Sequence, residues 1–149
     1  MTLEQKITTD LKAAMKAKDE AAKRGIRAIK QAILLAKTDG SGAEIDETRE
    51  IKMLQKLAKQ RKESIGIFDA QGRDDLAKIE REELEIIERY LPAQLSEADI
   101  TTAIQEIIQQ TGASSMRDMG KVMGMATKRF AGQADGKVVS GIVKQLLNS

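Results

Sequence analysis

Residues 115 to 149, SMRDMGKVMGMATKRFAGQADGKVVSGIVKQLLNS, decide the fold. Met119, Val122, Met123, Ala126 and Phe130 recur at helical spacing, and so do Val138, Val139, Ile142, Val143, Leu146 and Leu147. Ser115 with Asp118 reads as a capping box that opens the first run, the shorter Asp standing in for Glu, and Gly132 closes it. Asp135 then caps the second run. Just upstream, Ser96 with Asp99 repeats the capping arrangement ahead of Ile100, Ile104, Ile107 and Ile108, and Gly112 suits the left-handed position past a helix end. Residues 93–149 therefore read as a three-helix bundle.

Pro92, the single proline, disfavours helical geometry at the residue before it and marks the boundary of this bundle. Residues 1–92 read as a helical subdomain of about four helices. Leu3, Ile7, Leu11, Ala14 and Met15 form the first stripe. After Asp19 as N-cap, Ala22, Ile26, Ile29, Ile33 and Ala36 form the second. Thr38 to Ala43 has linker chemistry, Asp46 caps a long helix with Leu54, Leu57, Ile65 and Phe68 on its stripe, and Gly72 stops it. Asp74 or Asp75 restarts the chain into Leu76, Ile79, Leu84, Ile87 and Leu91, a helix that ends near Tyr90. No period-2 alternation suggests a strand, so the fold class is all-α.

Composition narrows the chemistry further. The chain has 149 residues, 41% of them hydrophobic but only 2% aromatic, which is the makeup of an aliphatic helical core. Cysteine and histidine are both absent. That excludes disulfides, thiol nucleophiles, thiolate or imidazole metal sites and every triad with a histidine base. No run of about 18 apolar residues and no secretory-signal pattern is present, which gives the expectation of a cytoplasmic protein without a membrane partner.

The net charge of +2 conceals an uneven distribution. Residues 1–37 hold nine lysines and arginines against four acids, residues 38–90 hold ten against fourteen, and from Ser115 onward there are six against two. The acidic cluster Glu80, Glu82, Glu83, Glu85 and Glu88 reads as a solvated face or as a partner for the basic N-terminal helices, rather than as a cation site. Arg61 falls inside the Leu57 to Ile65 stripe, where a structural ion pair to a carboxylate of the Glu80–Glu88 helix is expected.

Gly120 and Gly124 lie four apart and share one helix face, which leaves a groove bare of side chains beside the apolar stripe. Lys121, Lys128, Arg129, Lys137 and Lys144 place positive charge nearby. Such a surface accepts another backbone, either that of a neighbouring helix or that of a nucleic acid, and spacing alone leaves both open. With aromatic residues only at Phe68, Tyr90 and Phe130, all on or near apolar stripes, stacking on bases is not expected, and binding would read backbone and shape.

Tyr90-Leu91-Pro92-Ala93-Gln94-Leu95-Ser96, Asp118 to Gly124 and Gly132 to Gly136 together resemble the YqeY family. The resemblance extends to Met15 to Asp19, Ile26-Arg27, Arg61, Ser64, Ile65, Phe68 and Gly72-Arg73, and so covers the full length. The family's C-terminal part is similar to the tail domain of the B subunit of the glutamine-dependent aminoacyl-tRNA amidotransferase, where a helical tail contacts tRNA away from the chemistry. The resemblance implies a tRNA-interacting accessory module, with tRNA and an amidotransferase or tRNA synthetase complex as partners. It also carries the family's label of carbon-nitrogen ligase with glutamine as amido-N-donor. Independent catalysis is not expected, because no phosphate-cradling glycine loop accompanies that label here. The alternative is a non-catalytic helical protein-interaction adaptor. The candidate nucleic-acid-binding residues are Gly120, Lys121, Gly124, Lys128, Arg129, Gly132, Gln133 and Lys137, with no catalytic residue, metal ligand or cofactor. Many family members carry arginine where Gln133 stands, which makes this turn less basic here.

Overall fold

Thr2, Asp19, Asp46, Ser96 and Asp135 each present a side-chain oxygen to a backbone N–H two or three residues on, and these caps fix where five helices begin. The computed structural model describes residues 1–42 and 44–148, so Ala43, the last residue of the expected linker, lies outside the described residues. The helices are α1 (Leu3–Ala17), α2 (Glu20–Lys37), α3 (Glu47–Ala70), α4 (Asp74–Glu88), α5 (Glu97–Thr111), α6 (Met119–Arg129) and α7 (Gly136–Leu147). There is no strand among the described residues, and the chain is all-α as its periodicities require. By internal contacts it divides into two compact units, Met1–Pro92 and Ala93–Ser149.

In the first unit α1 and α2 form a hairpin, α2 lies against α4, and α3 pairs with α4. Ile7, Ile29, Leu54 and Ile87 are its most completely enclosed large side chains. At the hairpin tip Lys18 adopts a left-handed conformation, φ 56° and ψ 34°, with its N–H donated back to Ala14 and Met15. An L-residue there costs about 1 kcal/mol that glycine avoids. Lys18→Gly is therefore expected to stabilise the unit by about 1 kcal/mol, seen as a higher urea midpoint at unchanged slope.

Gly25 permits the α2–α4 crossing. A Cβ built on it would lie 2.6 Å from both Cβ and Cγ2 of Ile86. Arg61 of α3 reaches the acidic helix as expected, with its Nε 3.6 Å from Glu80 and 3.4 Å from Glu83. Tyr90, just past α4, donates its hydroxyl to Asp10 of α1 at 2.5 Å, and burial followed by that carboxylate pushes its phenol up.

The chain restarts at Asp74 as expected, with Asp74 and Asp75 in the first turn of α4, whereas two other expectations, at Ile79 and Met15, give way. Arg73 holds the cap position without a side-chain bond, and the two carboxylates favour the helix start through its dipole. Ile79 is 42% exposed, whereas Ile86, seven residues on and on the same face, is buried against Gly25. Met15 is also exposed, turned about 100° round the helix from its buried neighbour Ala14.

In the second unit α5, α6 and α7 pack pairwise around Ile104, Ile107, Val122 and Val143. Ser115 and Asp118 do form a reciprocal capping box. It encloses a single 3-10 turn, Met116–Asp118, from which α6 continues at Met119. Ser96 caps α5 through the Asp99 N–H.

Candidate nucleic-acid interface

α6 places Val122 and Ala126 wholly inside the bundle, with Phe130 just beyond its end also buried. That rotation sends the residues half a turn away into solvent. Gly120, Lys121, Gly124, Thr127 and Lys128 are all exposed, and a Cβ built at Gly120 or Gly124 would meet no atom within 4 Å. The glycines thus border the apolar stripe on its solvent side, and no helix of their unit packs over them. Lys121 and Lys128 flank Gly124 on this face, separated by seven residues or about 10 Å along the axis.

Electrostatics keep the face positive. Among the described residues Lys121, Lys128, Lys137 and Lys144 form no ion pair. The nearest acid to Lys121 in sequence, Asp118, is already engaged. Its carboxylate accepts the backbone N–H groups of Ser114 and Ser115, and these bonds, helped by Lys121 and Arg117, hold it below the usual carboxylate range. Arg129 differs from the lysines, because its guanidinium pairs with Glu106 of α5 at 2.8 Å. That contact ties α6 to α5 and occupies part of its charge.

Gly132 and Gln133 have a structural role in the turn after α6. Gly132 is buried with φ 76°, and its carbonyl accepts from the Gln94 side chain at 2.8 Å. The Gln133 carbonyl accepts from Leu95 N at 2.9 Å, and its side-chain amide donates to the Ala93 carbonyl at 3.3 Å. Together they hold the segment 93–95 against the α6–α7 turn. Lys137 is exposed in the first turn of α7, where its backbone N–H satisfies the Asp135 cap.

Sequence reading passed over Gly141. It is exposed with open space above it, and Lys137 and Lys144, also exposed, stand four residues before and three after. The outward face of α7 thus repeats the lysine-glycine-lysine arrangement of α6 in mirrored spacing. The signal was present as a third glycine spaced between lysines in a helical run.

Taken together, the fold and this surface describe a small all-helical protein whose second unit carries a basic, glycine-bared face. The chain belongs to the YqeY family: the family model described as Yqey-like protein matches residues 4–147. Curated relatives include altered inheritance of mitochondria protein 41, mitochondrial, of Meyerozyma guilliermondii, 37% identical over 119 residues that cover 78% of this chain and 62% of the relative. The Saccharomyces cerevisiae protein of the same name is 41% identical over 102 residues, covering 66% of this chain and 55% of its own length. That of Lachancea thermotolerans is 38% identical over 109 residues, covering 71% and 58%. The chain thus spans little more than half the length of the curated relatives it matches.

These relatives overturn the expectation of a cytoplasmic protein, since they are named as mitochondrial. The expectation rested on the lack of an apolar span and of a secretory signal. No helix among the described residues is long and apolar enough to cross a membrane, but that property is shared by proteins of the mitochondrial interior and of the cytoplasm alike.

Proposed function

We propose that this YqeY-family protein is an accessory RNA-contacting module that engages tRNA through the outward face of α6, in the manner of the amidotransferase tail it resembles. The observation that carries this reading is the open glycine face. Gly120 and Gly124 have no atom of their surroundings within 4 Å of an added Cβ, while Lys121 and Lys128 border them and form no ion pair among the described residues. Gly124, inside α6, forgoes about 1 kcal/mol relative to alanine and Gly120, in its first turn, about half that, and no helix of their unit uses the space they leave. A phosphate-ribose backbone fits such a strip, because it can approach the helix closely between two cations. The function proposed is contact rather than chemistry, with any amide transfer left to an amidotransferase that shares the tRNA. A helical adaptor with the glycine face buried inside its bundle agrees less well with that open space.

Filter binding of bulk transfer RNA at several salt concentrations tests the proposal. Lys121→Glu with Lys128→Glu is expected to weaken binding at least tenfold, and to make the dependence of log affinity on log salt shallower by about 1.5. Absence of binding by the unaltered protein at low salt, or unchanged affinity in the double variant, would sink it.

A further inference from the structure

The four acids among residues 1–37 all have internal uses. Glu4 pairs with Lys37, Glu20 pairs with Lys23, Asp10 accepts the Tyr90 hydroxyl, and Asp19 caps α2 through the Ala22 N–H. The acidic helix α4, whose sequence offered a counterweight to this basic stretch, reaches the hairpin among the described residues through one ion pair, Glu82 to Arg24 at 2.7 Å. Glu80 and Glu83 are turned to Arg61, and Glu85 to Arg89. Lys6, Lys12, Lys16, Lys18, Arg27 and Lys30 remain exposed, with no ion pair among the described residues.

These six cations belong to one antiparallel hairpin. Lys12 and Lys16 stand one turn apart on α1, Arg27 and Lys30 on α2, and Lys18 at the tip between the helices. The tip lysine holds a left-handed conformation that glycine would occupy at lower cost. Its charge therefore comes at some expense in stability, at the exposed tip of the basic hairpin.

We infer that the α1–α2 hairpin is a second RNA-contact surface, binding the phosphate backbone through Lys12, Lys16, Lys18, Arg27 and Lys30. The inference takes its ligand, RNA, from the function proposed above, but it concerns a different unit and different residues. The chemistry of the hairpin favours this ligand over others. The apolar stripes of both helices are largely spent in the core, Leu3, Ile7 and Ala14 on α1 and Ala22, Ile26, Ile29 and Ile33 on α2, and the exposed Met15, Leu34 and Leu35 stand at opposite ends of the hairpin, so no continuous apolar face is free to enter a bilayer. Neither helix carries an aromatic residue, and a protein interface of this size would draw its energy from buried aromatic or apolar anchors. Lysines interspersed with the exposed Gln5, Thr8, Thr9 and Gln31 suit phosphate and sugar oxygens instead.

The experiment uses the full chain and bulk transfer RNA, titrated at several salt concentrations. Lys12→Gln, Lys16→Gln, Arg27→Gln and Lys30→Gln together are compared with a control of equal charge change on α3, namely Lys52→Gln, Lys56→Gln, Lys59→Gln and Lys62→Gln, and with the Lys121→Glu, Lys128→Glu variant. The hairpin variant is expected to lose at least tenfold in affinity and to show a salt slope shallower by about 3, while the α3 control changes far less. Equal losses in hairpin and control variants would overturn the inference, since bulk charge would then suffice. Unchanged RNA affinity in the hairpin variant would overturn it too, even with a large effect of the α6 variant, which would uphold the proposed function alone. The converse, loss on the hairpin with none on α6, would uphold this surface and overturn the α6 reading. A parallel titration with phosphatidylserine–phosphatidylcholine vesicles identifies the remaining source of phosphate: binding to vesicles that falls in the hairpin variant, with RNA binding intact, assigns the surface to lipid and rejects the inference. If the fourfold variant shows a lowered melting temperature, Lys12→Gln with Lys16→Gln is used in its place, with half the slope change expected.

Discussion

Gly25→Ala is expected to destabilise the first unit by about 1–2 kcal/mol, whereas Gly124→Ala should stabilise the second by about 1 kcal/mol and Gly120→Ala by about 0.5 kcal/mol. All three sites are helical glycines, Gly25 and Gly124 interior and Gly120 in the first turn of α6, and all three gain intrinsic helix propensity from a methyl group. What separates them is the space that methyl enters. At Gly25 it would lie 2.6 Å from Cβ and Cγ2 of Ile86. These atoms adjoin the α4 backbone and cannot swing aside as the end of a flexible side chain would. Overpacking of this kind costs about 2–3 kcal/mol, enough to outweigh the gain in propensity. Gly25→Val, with its branch directed at the same contact, should cost about 3 kcal/mol or more. Ile86→Ala, destabilising on its own by about 2–4 kcal/mol, should be less damaging in the Gly25→Ala background, with a favourable coupling of about 1–2 kcal/mol. Amide exchange in α2 and α4 reads the effect within the first unit, which matters because two units need not unfold together. A stabilising Gly25→Ala would mean that α2 and α4 cross farther apart than described.

The contrast among these glycines also shows where sequence reading works and where it stops. Caps are local: Asp19, Asp46, Ser96 and Asp135 announce themselves because the oxygen and the N–H it accepts are two or three residues apart. Gly72 and Gly112, both at positive φ, are legible for the same reason. The ion pairing of Arg61 was legible because a guanidinium within an apolar stripe needs a carboxylate, and α4 is dense with them. Gly25 was not legible, since its need for glycine arises from Ile86, sixty-one positions later, and from the path of another helix. The candidate surface divided along the same line. The exposure of Gly120, Gly124, Lys121 and Lys128 follows from which way α6 turns its stripe. The roles of Gly132 and Gln133 depend on their bonds to residues 93–95, on the far side of α5 in sequence. A glutamine that donates to a carbonyl is doing a job that charge would not improve, which gives a structural reason for the absence of arginine at this turn.

Arg61→Leu should lower the stability of the first unit by about 2 kcal/mol at neutral pH, a deficit that shrinks as the pH is lowered. The guanidinium lies between Glu80 and Glu83, and all three side chains keep roughly a fifth of their surface exposed. Breaking a fully buried pair costs about 3–5 kcal/mol, and partial exposure reduces that figure. In the unaltered protein Glu80 already titrates above its ordinary value. Burial is the largest cause, the Glu83 charge adds to it, and Arg61 opposes both. Without Arg61 the upward shift must grow. A carboxyl whose pKa is higher in the folded than in the unfolded state binds protons that the unfolded chain releases, so folding strengthens as pH falls through the folded value. The gain is complete below the unfolded value, near the ordinary carboxylate range. Urea midpoints measured between pH 7 and about pH 4 should therefore converge for Arg61→Leu and the unaltered protein. Adding Glu80→Gln to Arg61→Leu should recover much of the loss at pH 7 and flatten the pH dependence, because one of the two unpaired charges is gone. A deficit that stays constant across this range would assign the contribution of Arg61 to the packing of its aliphatic stem between α3 and α4 instead of its charge.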